Sequence, residues 1–289
     1  MENYGKTLKK IRESLSITQV DISSEIMSQS NYSKVEKGEI DISFSKMIDL
    51  LNRIGMSIDE FLYVHRDYTK NPGNQLKYLK QLNAGDRPSL LKNINELQMV
   101  QNPSQREEEL LLIFQAFLSI LNNDYDAARK KVSRIWNRLE HHDNWYLYDI
   151  RLINSILYLF PIDIAESIVS LALNRLNDYK NFRNLNQLAA NLQINFVLLL
   201  IDNKKYSMAL NEIEKLISFC IEEKLFRYLG VCYVRKGILL DNLKKEDASH
   251  WYKAGFHLLE KTYNQNLVAE LKNEIKHYTI GQNDNQTDL

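Results

Sequence analysis

Apolar residues recur three and four positions apart along most of this chain, the spacing of helices that bury one face. Over the first 65 residues the pattern is broken into five short segments. Leu8, Ile11 and Leu15 predict a helix from about Lys6 to Leu15. Thr18, with Asp21 three positions on, reads as the N-cap of a second, whose buried stripe is Ile22 and Ile26. Ser28 or Gln29 opens a third, which ends at Gly38, where a left-handed C-cap suits a residue without a Cβ. Segments from Ser45 to Ile54 and from Ile58 to Val64 place Met47, Leu50, Leu51, Ile54, Phe61 and Leu62 on one side. So many breaks are too frequent for a simple bundle and fit a helix-turn-helix domain over 1–66.

Tyr68 to Gly73 (YTKNPG) carries turn residues and no apolar period, which marks a linker over 67–74. From 75 to 280 helix follows helix, ahead of a polar tail, 281–289, that reads as disordered. Ala128, Ala165, Ala209 and Ala248 each sit near the start of a second helix, at intervals of 37, 44 and 39 residues. Each interval accommodates a hairpin of two helices with a small residue where they cross, so the region reads as tetratricopeptide-like repeats. The expected hairpins cover 105–141, 143–179, 182–222 and 224–261. One or two leading helices lie in 75–99, and a last helix runs from Leu267 to Tyr278. The fold class is therefore all-α: a five-helix helix-turn-helix domain followed by an α-solenoid of helical hairpins.

Composition supports this and removes other classes. The 289 residues contain 9 Gly and 4 Pro, less than half of the roughly 7% and 5% of average usage. Sheet proteins need both residues at their many turns. The 37 basic and 37 acidic side chains cancel, which argues against indiscriminate polyanion binding but not against a local patch. The N-terminus has no apolar signal core, and the longest apolar stretch, Leu110 to Leu121, is too short to cross a bilayer. Cys220 and Cys232 make neither a disulfide framework nor a close-spaced zinc site and read as buried thiols of a cytoplasmic protein. His141, His142 and Asp143 are adjacent, and neighbours on a helix point about 100° apart, so they do not make a metal triplet. Trp136, Trp145 and Trp251 fall at core positions. No phosphate-binding glycine loop or activated nucleophile is present, and the expectation is a non-enzyme with no cofactor and no metal.

The run TQVDISSEIMSQSNYSKVEKGE, Thr18 to Glu39, resembles the helix-turn-helix of phage-repressor-like (Xre-type) regulators, which share a Gln opening helix 2 and an S-x-x-E-x-G ending helix 3. Here these are Gln19 and Ser33 to Gly38. The piece IMSQSNYSKVEKGE is similar to peptide-sensing Rgg and MutR regulators. The Gly common in the inter-helix turn is replaced by Met27-Ser28. The third helix is then a recognition helix. Gln29, Ser30, Asn31 and Lys34 are its expected base contacts, because side-chain amides match adenine and lysine reaches guanine acceptors. Gln19, Ser28, Lys37 and Ser43 are the expected phosphate contacts. Tyr32 and Val35 should face inward, with Ser33 packed. The resemblance also pairs Arg12 with Glu36. Met1 to Arg66 holds nine Lys/Arg against ten Asp/Glu, so affinity is expected from a dimer on two half-sites.

Stacked hairpins line a concave groove with their first helices. Placing Gly230 at a close helix crossing turns Arg227, Val231, Val234 and Arg235 toward that groove, and placing Ala190 likewise turns Gln187, Asn191, Ile194 and Asn195. Arg151 and Asn154 follow from the second hairpin, where WYLYDIRLINSILYLF resembles Rgg-like receptors in which an Arg and an Asn help hold a peptide. Arg151, Asn154, Asn191, Asn195, Arg227 and Arg235 are the expected peptide contacts. The resemblance implies a cytoplasmic, quorum-sensing type regulator whose partners are double-stranded DNA, a short signalling peptide and a second copy of the chain, with RNA polymerase a further candidate and no membrane insertion. Two alternatives stay open on sequence: a regulator whose repeats only dimerise or hold protein partners, and a helical scaffold that does not bind DNA.

Overall fold

A computed structural model describes residues 4–67, 78, 86–141, 144–179, 185–245, 248–262 and 265–279. Every regular element among these is helical. Most of the expected linker, the tail 281–289, most of 75–85, His142, Asp143 and the first residues of the third hairpin lie outside them. The chain forms two compact units, Met1–Asn74 and Gln75–Leu289.

The first unit holds α1 (Tyr4–Ser14), α2 (Gln19–Ser23), α3 (Gln29–Lys37), α4 (Phe44–Arg53) and α5 (Ile58–His65). Its core is Leu8, Ile11, Ile22, Tyr32, Val35, Met47, Leu50, Leu51 and Phe61. Gly5 lets α1 lie directly on α3: a Cβ there would come within 1.8 Å of the Val35 carbonyl oxygen. The caps follow the sequence. Thr18, Ser28 and Ser57 accept hydrogen bonds from Asp21 N, Asn31 N and Glu60 N. Gly38 closes α3 at φ 75°.

Two expectations are corrected here. Leu15 does not continue the buried face of α1: the helix ends at Ser14, Ser16 takes φ 56°, and Leu15 is 48% exposed. Ile17 packs on the core beyond the turn. Ile26 is not on α2 but in the turn after it, half-buried against the same core. That turn has a left-handed residue despite lacking Gly. It is Glu25, at φ 61°, a conformation that costs a non-glycine residue roughly 1 kcal/mol.

After a helical residue at Tyr78, the described residues of the second unit run through α6 (Arg87–Gln98) and continue as hairpins α7 (Gln105–Leu121) and α8 (Tyr125–Leu139), α9 (Leu147–Ile156) and α10 (Ile162–Asn177), α11 (Leu185–Asp202) and α12 (Tyr206–Glu222), and α13 (Phe226–Leu243) and α14 (Ser249–Lys261), then α15 (Gln265–Thr279). A short 3-10 turn, Leu157–Leu159, precedes Pro161 between α9 and α10. Ala128, Ala165, Ala209 and Ala248 are all buried. Gly230 and Gly255 bring α13 and α14 into backbone contact; a Cβ on Gly255 would lie 2.7 Å from the Gly230 carbonyl oxygen.

Several helices end in the left-handed turn that glycine usually serves, but with Asn123, Lys204, Lys224 and Lys244 in that role, at φ 51–59°. In each, the next residue's N–H reaches back to a carbonyl of the last turn: Asp124 to Ser119, Lys205 to Leu200, Leu225 to Cys220 and Lys245 to Leu240. Scarce glycine therefore means long helices here, not an absence of left-handed caps. The first helices α9, α11 and α13 pack side by side as one layer, and α15 packs on α13 and α14.

Candidate nucleic-acid interface and inner-layer polar residues

Helix α3 is buried along Tyr32, Val35 and Glu36 and exposed at Gln29, Ser30, Asn31, Lys34 and Lys37, with Ser33 between. Asn31, Lys34 and Lys37 have no side-chain hydrogen bond or ion pair among the described residues, which leaves their donors for an outside partner. The Ser28 hydroxyl caps α3, 3.3 Å from Asn31 N. Ser43 is exposed as the N-cap of α4, its hydroxyl 3.2 Å from that of Ser45.

Beneath this surface a chain of hydrogen bonds starts from a buried ion pair. Arg12 Nε donates to Glu36 Oε1 at 2.6 Å and Arg12 Nη2 to Glu36 Oε2 at 3.1 Å. Arg12 Nη1 also donates to the Ile17 carbonyl at 2.9 Å. Gln19 Nε2 donates to Glu36 Oε2 at 2.7 Å, and Gln29 Nε2 donates to Gln19 Oε1 at 2.6 Å. Burial by itself would raise the Glu36 carboxyl, but the bonds from Arg12 and Gln19 outweigh it and hold the group below the ordinary carboxylate value. Tyr32 Oη is buried beside this pair with no hydrogen-bond partner of good geometry.

Sequence placed Gln19 as a phosphate contact and Gln29 as a base contact, each by itself. Their mutual bond, and the tie from Gln19 to Glu36, went unread. The available signal was one of position: Gln19 opens α2 and Glu36 lies on the inner side of α3, the two helices that pack together.

In the second unit, two of the six expected ligand contacts bond each other directly, and all six lie on α9, α11 and α13. Asn195 Nδ2 donates to Asn154 Oδ1 at 3.0 Å and to the Asn154 carbonyl at 3.2 Å, tying α11 to α9. One turn along α11 is Asn191, near Tyr228 on α13 beside Arg227; burial raises the Tyr228 hydroxyl, with Arg227 and Asn191 acting against it. Arg151, three residues before Asn154, is half-buried and has no partner among the described residues.

Arg235 stands apart. It is 7% exposed, donates from Nε to Glu274 Oε1 at 3.0 Å and from Nη1 to the Ile194 carbonyl at 2.7 Å. It joins α11, α13 and α15. Val231, Val234 and Ile194 are likewise buried rather than lining a groove. The reason is geometric: Gly230 does face α14, and Val234, four positions later, shares that face.

Other clusters have structural surroundings. Arg138 binds Glu109 through Nε and Asp149 Oδ1 through Nη2 at 3.0 Å, joining α7, α8 and α9, while Glu109 Oε2 is buried without a hydrogen-bond partner. Cys220 and Cys232 are buried free thiols that contact each other; their mutual hydrogen bond, then burial, pushes Cys232 well up. Trp145 is buried, whereas Trp136 and Trp251 are half-buried. Among the described residues no three His, Cys, Asp or Glu side chains converge on a metal position, and no helix is long and apolar enough to cross a membrane.

A helix-turn-helix with a free polar recognition face, followed in the same chain by stacked helical hairpins, defines a DNA-binding regulator with a helical-repeat domain. The family model described as the C-terminal domain of the HTH-type transcriptional regulator Rgg matches residues 91–273, and a helix-turn-helix model matches 8–61. The chain belongs to the Rgg family of HTH-type transcriptional regulators, a family of regulators rather than enzymes. Among solved structures it is similar to a protein of Listeria monocytogenes EGD-e described as a transcriptional regulator, at 19% identity over 96% of this chain and 97% of that one, with a TM-score of 0.80. The SHP pheromone receptor Rgg2 of Streptococcus dysgalactiae shares 19% identity over 95% and 99%, TM-score 0.74. PlcR of Bacillus thuringiensis, solved in complex with the peptide PapR7 and DNA, shares 18% over 94% and 100%, TM-score 0.70. At these identities the likeness is one of fold.

Proposed function

We propose that this regulator binds a short signalling peptide on the inner layer formed by α9, α11 and α13, and controls target genes by binding DNA as a homodimer in the cytoplasm. The observation that carries the peptide reading is the bonded pair Asn154 and Asn195, with Arg151, Asn191 and Arg227 on the same three helices. After the Asn154–Asn195 bond is made, Asn195 Oδ1 and Asn154 Nδ2 carry no hydrogen bond among the described residues, which leaves one acceptor and one donor. That pair matches a peptide unit in an extended backbone. Arg151, half-buried and with no partner among the described residues, suits a carboxylate, which accepts two parallel bonds from guanidinium. Arg235 is left out of this site.

On the DNA side, Gln29, Ser30, Asn31 and Lys34 would meet base edges, and Gln19, Ser28, Lys37 and Ser43 the phosphates. The first unit has no cationic surplus, so two recognition helices, one helical turn of DNA apart, would share the task. Peptide acts only through a difference in affinity between two states of the array. Such a shift would alter half-site spacing or a contact with RNA polymerase. Similarity in fold to a pheromone receptor and to a peptide- and DNA-bound regulator supports this reading.

The test is binding of the purified chain to a library of short synthetic peptides, each made with a free and an amidated C-terminus. For peptides that bind, amidation, Arg151→Ala and Asn195→Ala are each expected to weaken affinity tenfold or more, with amidation costing nothing further in Arg151→Ala. Affinity indifferent to all three changes would remove the site. If the chain bound DNA but no peptide at all, the repeats would serve dimerisation or a protein partner instead.

A further inference from the structure

We infer that α8 is a second nucleic-acid contact: a cationic stripe on its exposed face, centred on Lys130 and Arg134, binds phosphates of the duplex beyond the recognised half-sites. The inference rests on the reading of α3 as a recognition helix and adds a surface in the other unit.

Charge is spread unevenly along this chain. Helix α8 carries five Lys/Arg against one acid, a surplus of four in 15 residues, while the whole chain sums to zero. Three of the five have duties within the fold. Arg138 binds Glu109 and Asp149, Lys131 Nζ donates to Ser119 Oγ at 3.3 Å, and Arg129 lies 3.5 Å from Asp126. Lys130 and Arg134 are exposed and have no hydrogen bond or ion pair among the described residues. The exposed Asn137 amide likewise has no partner there. At about 100° per residue these three fall within roughly 60° of arc, and His141 follows one turn further on the same line. The stripe is thus about 16 Å long. On this helix and its cap the acids stand at the ends: Asp126, paired with Arg129, and Glu140, 3.7 Å from His141.

Unpaired cations attract an anion, and their surroundings decide which kind. Protein interfaces build their centre from apolar and aromatic side chains. No exposed large apolar residue lies between Lys130 and His141; the flanking ones, Leu121, Tyr125 and Tyr146, fall before and after. A phosphate backbone asks instead for open cations and amide donors. Lys130 and Arg134 are one turn apart, about 6 Å along the axis, so they can serve successive phosphates of one strand, with Asn137 donating beside them. The DNA-binding unit supplies a second reason. Met1 to Arg66 holds nine Lys/Arg against ten Asp/Glu, and Arg12 is consumed by Glu36. Neutralised phosphates provide much of the affinity of DNA-binding proteins. Cations outside that unit make up the deficit, and α8 has the largest surplus of any described helix.

The experiment compares two duplexes that carry one site, selected by the purified full chain from a randomised library. The short duplex ends at the outer edges of the half-sites. The long one continues on each side for about 15 base pairs of unrelated sequence, several times the roughly 5 that the stripe can cover at 3.4 Å each. Fluorescence anisotropy across a salt series should show wild type binding the long duplex roughly tenfold tighter or more, with the steeper salt dependence. In the double variant Lys130→Gln, Arg134→Gln that preference should fall below about threefold, and the slope on the long duplex should drop by about two for each chain bound. The short duplex should bind as before. A control, Lys253→Gln with Lys261→Gln, removes two exposed cations from α14 and should keep the preference; thermal unfolding checks that both variants fold. A wild type without the length preference, a preference that survives in the α8 variant, or one lost equally in the α14 control overturns the inference. Binding to the short duplex then leaves the recognition-helix reading standing. A chain that selects no sequence and binds neither duplex removes both.

Discussion

Each unit of the molecule buries an arginine among carboxylates, and the two arrangements behave in opposite ways. In the first unit one cation meets one buried acid, with the exposed carboxylate of Glu13 3.5 Å from the same guanidinium. Arg12 serves both oxygens of Glu36, Gln19 adds a third donor, and the carboxyl is held below its ordinary value despite burial. In the second, one cation is divided between two acids. Arg138 reaches Glu109 and Asp149, one Glu109 oxygen is left without a partner, and burial raises that carboxyl beyond what Arg138 offsets. Burial penalises the charge in both places and does so more at Glu109, where the neighbouring Asp149 adds to it, so burial and the supply of donors together decide the sign. Where the donors suffice, the carboxylate can also orient a neighbour, as Glu36 orients Gln19.

The largest effect should come from taking away the shared cation. Arg138→Met leaves two buried carboxylates without a positive charge and should cost the second unit about 3–5 kcal/mol. All three tryptophans lie in that unit, so urea unfolding followed by their fluorescence measures it directly. A loss below about 1 kcal/mol would mean that the cluster is hydrated and not the closed arrangement described.

Next comes a pair of matched substitutions with opposite expected signs. Glu36→Gln takes the charge from a satisfied pair and should destabilise the first unit by about 3 kcal/mol at pH 7. Glu109→Gln removes an excess charge with an orphan oxygen, and should leave the second unit unchanged or more stable by up to about 1 kcal/mol. Acid separates them further. The Glu36 contribution is present above the ordinary carboxylate value, near 4.3, and is lost as pH falls through the lower folded value. For Glu109 the folded state binds its proton more readily than the unfolded chain, so the wild type should gain on Glu109→Gln as pH falls from the raised value toward the ordinary one. Amide hydrogen exchange in α1 and α3 reports the first unit, and tryptophan fluorescence the second. The contrast fails if both variants lose stability and respond to pH in the same direction.

The smallest effect concerns Tyr32. Its ring fills the core of the first unit while its hydroxyl has no well-formed bond. Tyr32→Phe should change stability by less than about 1 kcal/mol, in the stabilising direction. A clear loss, seen in the same exchange measurement, would show that the hydroxyl supports the Arg12–Glu36 pair after all.

Much of the architecture was legible because it rests on local rules. The caps at Thr18, Ser28 and Gly38, the outward face of α3, the four buried alanines and the hairpin limits all follow from periodicity and cap chemistry. Leu15 and Ile26 were misplaced because the spacing of apolar residues does not say where a helix stops; the turns at Ser16 and Glu25 take left-handed backbone at residues that give no glycine signal. Val234 was misplaced for a different reason: it packs against Gly255. A crossing glycine identifies a contact face, but which residues share it depends on the neighbouring helix.

By itself, then, the order of residues determined where helices form, which stripe of each is apolar, that the recognition surface would be polar amides and lysines, and that the repeats would stack. Those properties arise within a few residues of one another and survive without knowledge of the partner helix. Only the tertiary structure decided that Gln29 is bonded to Gln19 and Gln19 to Glu36, that Asn154 meets Asn195 across helices 41 residues apart, and that Arg235 is buried against Glu274 while Arg151 has no partner among the described residues. A side chain's donors and acceptors are a property of its type. Which of them are used, and so which remain for DNA or a ligand, depends on what packing at long separation places within 3 Å.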